Sequence, residues 1–579
     1  MLNPNHRIVP IAAMAVLFVA SAPPADDLDA FVQAQMAQRQ INGLSLAIVQ
    51  DGRIEARTYG VTSRGGPPVT ADTLFQAGSI SKPVAAMGAL RLVEQGMLSL
   101  DEDVNAKLKT WKVPDNEFTV TQKVTLRRLL SHTAGLTVHG FPGYDIKEPM
   151  PSTAQVLDGA GNTAPVRVNV VPGSLWRYSG GGYTVMQLLV GDVTGKPFHQ
   201  YMRDAVLGPA GMSRSTYEQP LPPERAAETA SGYYADRTAV SGKWHVYPEM
   251  AAAGLWTTPT DLARFAVEVQ QALAGKSNKI ISQTMARQQL TVQLSNFGLG
   301  LALSGSGAAR TFGHNGRDEG FDALLLAFAE TRQGLVVMIN ANDNSGMMNR
   351  IVQAVARKYN WPERSSSAPA ATQRISPAVP LGTVTGRYEL TNNNMVTLVV
   401  HEGRLFTDAN GLPDEEFLFM GDDRFGSSQR DVSFRLDRSP AGEIVGLTWS
   451  SSGQDRPVPR IGPLFASIKA VKDPDPSFTQ IVDAAVRALA EGGAAVSGLQ
   501  TLTPGARTNL AGRPVRELAG VRGITYLSAQ DVAGRRIERH GGAVAKVLFY
   551  RMESPQSTRW LLVHVTADNL ITDYDVVDK

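Results

Sequence analysis

The sequence predicts an α+β protein. An antiparallel five-stranded sheet interrupted by a helical insertion comes first, then an all-β segment, then a small α+β segment. Three observations carry this. Two strand patterns joined by the turn Asp51-Gly52 lie near the N-terminus, and further strand patterns return only after Asn296. Between them, residues 100–275 read as helix and loop with frequent Gly and Pro breaks. Beyond residue 381, short strands succeed one another across Gly, Asn and Asp turns.

In chain order, Asp27 to Gln40 reads as a short helix, Leu44 to Gln50 as a strand and Arg53 to Gly60 as its hairpin partner. After Pro83, Val84, Met87, Leu90 and Val93 recur at helical spacing. Past the insertion, "FGLGLALSG", "RTFGHNG" and "FDALLLAFAE" read as strands, and "TRQG" turns into "LVVMINAND". Met347 to Tyr359 closes the unit as a helix that can share one sheet face with the first helix. Residues 27–361 are therefore expected to form one domain, with a Pro/Ser/Ala-rich linker at 362–380. Residues 381–466 form the all-β domain, and residues 474–579 place helices ahead of a strand meander.

Composition excludes several function classes. The 579 residues carry a formal net charge of +2, with no run of like charges, so no footprint for nucleic acid exists. The absence of cysteine removes disulfides, thiolate metal sites and a thiol nucleophile. The nine histidines form no H-E-x-x-H, so no metal is implied, and no phosphate-binding fingerprint implies a nucleotide cofactor. G-x-S-x-G is also missing, which argues against an α/β-hydrolase. At the N-terminus, Arg7, the apolar run Ile8 to Val19 and Ala20-Ser21-Ala22 match an export signal over residues 1–22. Its apolar run is shorter than a membrane span. A periplasmic or secreted protein is expected, without a membrane span after processing.

Three short stretches concentrate reactive side chains. Ser79-Ile80-Ser81-Lys82 is the one Ser-x-x-Lys of the chain. At this spacing on a helix the two side chains share a face, and a lysine with a lowered pKa can take the serine proton. The same pattern also describes a capping serine beside a solvated lysine. "WRYSGGGYTV" sets Tyr178 at a turn, as a phenolate-type base or proton relay where a cation lowers its pKa, or as an ordinary packed tyrosine. "FGHNGRDEGF" puts His314, Asn315 and Gly316 on a strand, where Gly316 would let a substrate backbone approach closely and the Arg317 N–H can face an oxyanion, or where the glycines mark a strand end or bulge. "LLSHTAGL" (129–136) is expected to end a helix at its glycine, and His132 within it reads as structural.

Together with "GLSLAIVQDGRI", "DTLFQAGSISKPV", "PGSLWRYSGGGY" and "GLWTTPTDLARF", these stretches resemble the serine β-lactamase and penicillin-binding-protein superfamily. The likeness is to its class C-like branch, which includes D-aminopeptidases, D,D-peptidases and family VIII carboxylesterases, and it spans about residues 28–360. The resemblance implies a three-layer β-lactamase/transpeptidase-like fold acting without cofactor. It implies Ser79 as acylated nucleophile, Lys82 as its proton acceptor or electrostatic partner and Tyr178 as general base. It implies an oxyanion hole from the N–H groups of Ser79 and Arg317, with Gly180, His314, Asn315 and Gly316 around the substrate. Two positions depart from the pattern. Gly180 stands where the family often has asparagine, and His314 replaces the third motif's lysine with a group of ordinary pKa ~6.5. Both favour small esters or D-residue peptides over β-lactams. D,D-peptidase or weak β-lactamase activity is the alternative, and a non-catalytic cell-wall binder the alternative of another class. Residues 381–466 resemble a lipocalin-like barrel, and residues 474–579 an NTF2- or cystatin-like module.

Overall fold

The computed structural model describes residues 28–362 and 379–577, apart from residues 392–393, 410–411, 428–431, 452–453, 511–514, 516–517, 534–537, 540–541 and 554–557. The expected export signal and residues 363–378 of the expected linker lie outside the described residues.

Six strands build the central antiparallel sheet: β1 (Gly43–Gln50), β2 (Arg53–Gly60), β3 (Ala302–Ser304), β4 (Thr311–Asp318), β5 (Phe321–Phe328) and β6 (Gly334–Ile339), in the order β2-β1-β6-β5-β4-β3. The sixth is the three-residue edge strand β3. Strands β1 and β6 meet with Leu46 opposite Val337, and their side chains divide by parity. Leu44, Leu46, Ile48, Leu335, Val337 and Ile339 face one core, while Ala47, Val49, Val336 and Met338 face the other. Both faces are covered, so these strands are apolar but for Ser45 and Gln50.

The first core is closed by α1 (Leu28–Arg39) and the last helix of the domain, Met347–Lys358. That last helix presents Met347, Ile351 and Val355, four residues apart, as one buried stripe. On the opposite face lie α2 (Ser81–Glu94), α3 (Leu126–Leu130), α4 (Gly180–Thr194), α5 (Met250–Ala253) and α6 (Pro259–Leu273). Helix α6 starts where Thr258 accepts the Asp261 N–H at 3.2 Å with proline at the first position. The domain has three layers, as the sequence predicts. Among the described residues no helix is long and apolar enough to cross a membrane.

Residues 386–462 form a closed eight-stranded barrel in which each strand pairs with the next and Gly386–Thr391 also pairs with Gln454–Gly462. Eight strands enclose a space that side chains can fill. Tyr388, Phe417, Phe425, Phe434 and Trp449 fill it, with Phe425 stacked on Phe434 at 5.1 Å. In the final unit, the helix Pro476–Glu491 packs on one face of a four-stranded antiparallel sheet. The other face of that sheet carries Leu527, Phe549, Trp560 and Leu562, which pack on Phe465 of the connecting segment.

Arg387, on the first barrel strand, ties these two units together. It is 2% exposed, and its guanidinium lies 4.1 Å from the Phe465 ring centre and 4.7 Å from that of Phe549. Its Nε donates to the Pro463 carbonyl at 2.7 Å, and burial draws its pKa down to about 10. We predict that Arg387→Ala costs ~2–4 kcal/mol, the sum of a desolvated cation–π pair and a charge-assisted hydrogen bond. Arg387→Met should cost less, because it keeps the packing and removes a buried charge. Denaturant titration of the two variants measures this, and equal midpoints would count against a bolting role.

Candidate active site

The site forms where α2 begins beneath the end of β4. Gly78 has φ +51°, and a Cβ there would lie 2.4 Å from the Arg317 nitrogen. A Cβ on Gly316 would lie 1.9 Å from the Ala77 carbonyl oxygen. These two glycines therefore allow the turn Gly78–Ile80 to rest on β4, and they bring the backbones of Ser79 and Arg317 to one corner. Ser81 secures the turn: its hydroxyl donates to the Gly78 carbonyl at 2.6 Å and accepts the Leu255 N–H at 3.0 Å.

Ser79 is not a cap. It lies in the turn ahead of α2, and the residue in the cap position is Ile80. The Lys82 ammonium donates to Ser79 Oγ at 2.9 Å and to the Ala252 carbonyl of α5 at 2.7 Å. Lys82 is 2% exposed and forms no ion pair among the described residues. Burial lowers its pKa to about 7, against the opposing pull of the Asp318 carboxyl. Asp318 lies on β4 two residues past Gly316, on the same face, and burial pushes it well above the usual carboxylate range.

Tyr178 enters from the turn before α4. Ser179 caps that helix, accepting the Gly182 N–H at 3.0 Å and donating to the Thr137 carbonyl at 2.7 Å. Lys82 Nζ sits 4.9 Å from the Tyr178 ring centre. Around the same ring lie His132 at 4.1 Å, His139 at 4.8 Å, His314 at 5.9 Å and Trp176 at 6.4 Å. The Tyr178 hydroxyl makes no hydrogen bond of regular geometry. The Ser79 hydroxyl is close enough to draw its pKa down, but burial dominates and raises it. A tyrosinate base is therefore disfavoured in the free protein.

His314 is 9% exposed, and its Nδ1 faces the Asn315 carbonyl at 2.6 Å. Burial and the Lys82 charge lower its pKa to about 4, so it is neutral near pH 7. Asn315 and Arg317 alternate outward on β4. The Arg317 guanidinium is engaged by Asp322 at 2.7 and 2.6 Å and by Asn344 at 2.7 Å. Gly180 packs tightly: its N–H donates to the His139 carbonyl at 3.0 Å, and a Cβ would lie 3.0 Å from the Phe141 ring. A side chain at this position would start in tight contact with His139 and Phe141 of the loop 137–141.

Ser79, Lys82, Tyr178 and His314 thus meet in one place with the backbones of Gly316 and Arg317 beside them, whereas the side chains of Asn315 and Arg317 turn outward and Gly180 packs on the loop 137–141. The structure adds His139, Asp318, the Ala252 carbonyl and the contact of His132 with Tyr178. Asp318 carried a signal, the period-2 alternation from His314 and Gly316. Nothing in the sequence pointed to His139 or Ala252.

A serine bonded to a buried lysine at the start of a helix, beside a tyrosine turn and an edge-side strand, coincides with a match over residues 28–358 to the family model described as Beta-lactamase. The chain belongs to the β-lactamase family. It is a β-lactamase-related serine hydrolase. Penicillin-binding protein 4 of Amycolatopsis lactamdurans is 28% identical over 305 residues, which cover 50% of this chain and 77% of that protein. Esterase EstB of Burkholderia gladioli is 31% identical over 201 residues, covering 32% and 49%. The octameric penicillin-binding protein homologue from Pyrococcus abyssi shares the fold, with a TM-score of 0.52, 20% identity, and coverage of 75% of this chain and 99% of that one.

The electrostatics of this β-lactamase-family site set its pH dependence. The folded-state pKa of Lys82 is lowered, so the neutral amine that can accept a proton is present above about pH 7 and lost as pH falls through it. Single-turnover acylation by a neutral ester should rise through that point and then level. His314, already neutral, adds no limb there, so His314→Gln should leave the midpoint in place. A midpoint near the ordinary lysine value, ~10.4, would refute the desolvated amine.

Proposed function

We propose that the protein hydrolyses uncharged esters through a covalent acyl-enzyme on Ser79. The observation that carries this is the 2.9 Å contact between Ser79 Oγ and a Lys82 whose pKa is lowered to about 7. Neutral Lys82 takes the proton as Oγ attacks the acyl carbon. The N–H groups of Ser79 and Arg317 receive the oxyanion, and the start of α2 adds its positive end. Tyr178, protonated and packed against Lys82, relays a proton from the lysine to the leaving oxygen. Water then attacks the acyl-enzyme by the same route in reverse and frees Ser79.

Three features favour an ester over a substrate bearing a carboxylate. His314 is neutral, the Arg317 guanidinium is held by Asp322, and Gly180 leaves no side-chain amide to grip a substrate amide. The mouth adds apolar surface, with Leu175 and Trp176 exposed beside the Tyr178 turn. The likeness to an esterase agrees with this reading. Peptides containing D-residues with an uncharged or amine end are the second reading, favoured by the same absence of a free cation. Export to the periplasm fits both, and rests on the N-terminal sequence alone.

The test is a panel of p-nitrophenyl esters, D-aminoacyl amides and nitrocefin. Esters should turn over fastest and nitrocefin slowest, and Ser79→Ala should abolish both turnover and labelling by a fluorescent phosphonate. Tyr178→Phe should lower kcat ~10²–10⁴-fold, as loss of a proton-transfer group does. A phosphonate adduct that persists in Ser79→Ala would overturn the assignment.

A further inference from the structure

His132 holds the segment that carries Tyr178 at three successive residues. Its carbonyl accepts the Arg177 N–H at 2.8 Å. Its ring nitrogen Nδ1 accepts the Ser179 N–H at 3.1 Å. Between these two bonds, its ring lies against the Tyr178 ring, with centres 4.1 Å apart and planes tilted by 31°. One residue thus grips the positions before, at and after the tyrosine.

The backbone geometry is what makes this possible. His132 has φ +59°, in the left-handed region that few non-glycine residues occupy. It follows directly on α3, where Ser131 ends the helix. The left-handed turn directs both the carbonyl and the side chain of His132 toward residues 177–179. Tyr183 at 5.2 Å and Phe297 at 4.9 Å close the remaining sides of the ring. The residue is 2% exposed. Because Nδ1 accepts a hydrogen bond, the neutral ring carries its proton on Nε2.

We propose that His132 is a positioning residue for Tyr178, a role that rests on the acyl-enzyme reading above. Its ring sets the plane of the phenol, and its two hydrogen bonds set the backbone from which the phenol projects. A phenol that relays a proton between Lys82 and a leaving oxygen has to stay within hydrogen-bond reach of both, so small displacements are costly. Burial and the neighbouring Lys82 charge keep the imidazole neutral, which preserves the acceptor nitrogen. The ionisable groups turned toward it are Lys82, His139, His314, Tyr178 and Tyr183.

Three variants separate the contacts. His132→Asn keeps an acceptor and tolerates the left-handed backbone, His132→Phe keeps the stacked ring, and His132→Ala keeps neither. With a p-nitrophenyl ester, His132→Ala should lower kcat ~10–100-fold with little change in KM, as a misplacement of about an ångström does. The other two should fall between it and wild type. In a Tyr178→Phe background, His132→Ala should cause no further loss, because the two act through one group. Full kcat in folded His132→Ala, or a loss that multiplies with that of Tyr178→Phe, overturns the role. If His132→Ala does not fold, the Asn and Phe variants carry the same comparison. Phosphonate labelling of wild-type Ser79 separates the two levels. No label defeats the acyl-enzyme reading and the positioning role with it, whereas normal label with unchanged variants defeats the positioning role alone.

Discussion

The site depends on one constraint: an amine has been taken out of water with no carboxylate in salt-bridge contact among the described residues and only the more distant pull of Asp318. Transfer of a lone charge into a protein interior costs many times what a single hydrogen bond returns, so the group releases its proton instead. Lys82 meets that constraint with two acceptors, Ser79 Oγ and the Ala252 carbonyl, and no ion pair among the described residues. The rest of the pocket is consistent with a low-charge interior. His132 and His314 are both held neutral, and Asp318 is pushed toward its protonated form. A formal cation introduced beside Lys82 would repel it further, and a bare carboxylate would restore its proton.

The scaffold supplies this burial through close backbone approach. Gly78 and Gly316 let a turn and a strand touch where side chains would keep them apart. Helix α5 then closes over the lysine, and its Ala252 carbonyl accepts the ammonium hydrogen bond. The central strands β1 and β6 are buried on both faces, which fixes their register against slippage, since a shift by one residue would exchange the two cores.

Much of this was legible from residue patterns. Asp51-Gly52 marks the first hairpin, and the spacing of Ser79 and Lys82 carries straight into α2. The segment "FGLGLALSG" reads as one strand, yet only Ala302–Ser304 joins the sheet, and Phe297 folds back to bridge Ala302. Gly300, at φ +94°, bends the chain so that its N–H meets the Leu130 carbonyl instead of a neighbouring strand. In the site, the residues with motif signals were found and their protonation was not. An adjacent cation suggests a lowered tyrosine pKa, whereas burial raises it, and burial is a tertiary property. The contact of His132 with Tyr178 was equally hidden, because it follows from a left-handed backbone at a non-glycine residue. The barrel and the last sheet were recognisable as β-rich units. Their union through Arg387 was not, since a lone arginine on a strand reads as surface.

The crowding at Gly180 couples two positions far apart in the sequence. A Cβ at 180 would stand 3.0 Å from the Phe141 ring and 3.1 Å from the His139 carbonyl, so a side chain there asks both to give by a few tenths of an ångström. The ring at 141 is only partly buried and is the more yielding of the two. Side-chain amide contact from position 180 is thereby tied to the freedom of the loop that faces it.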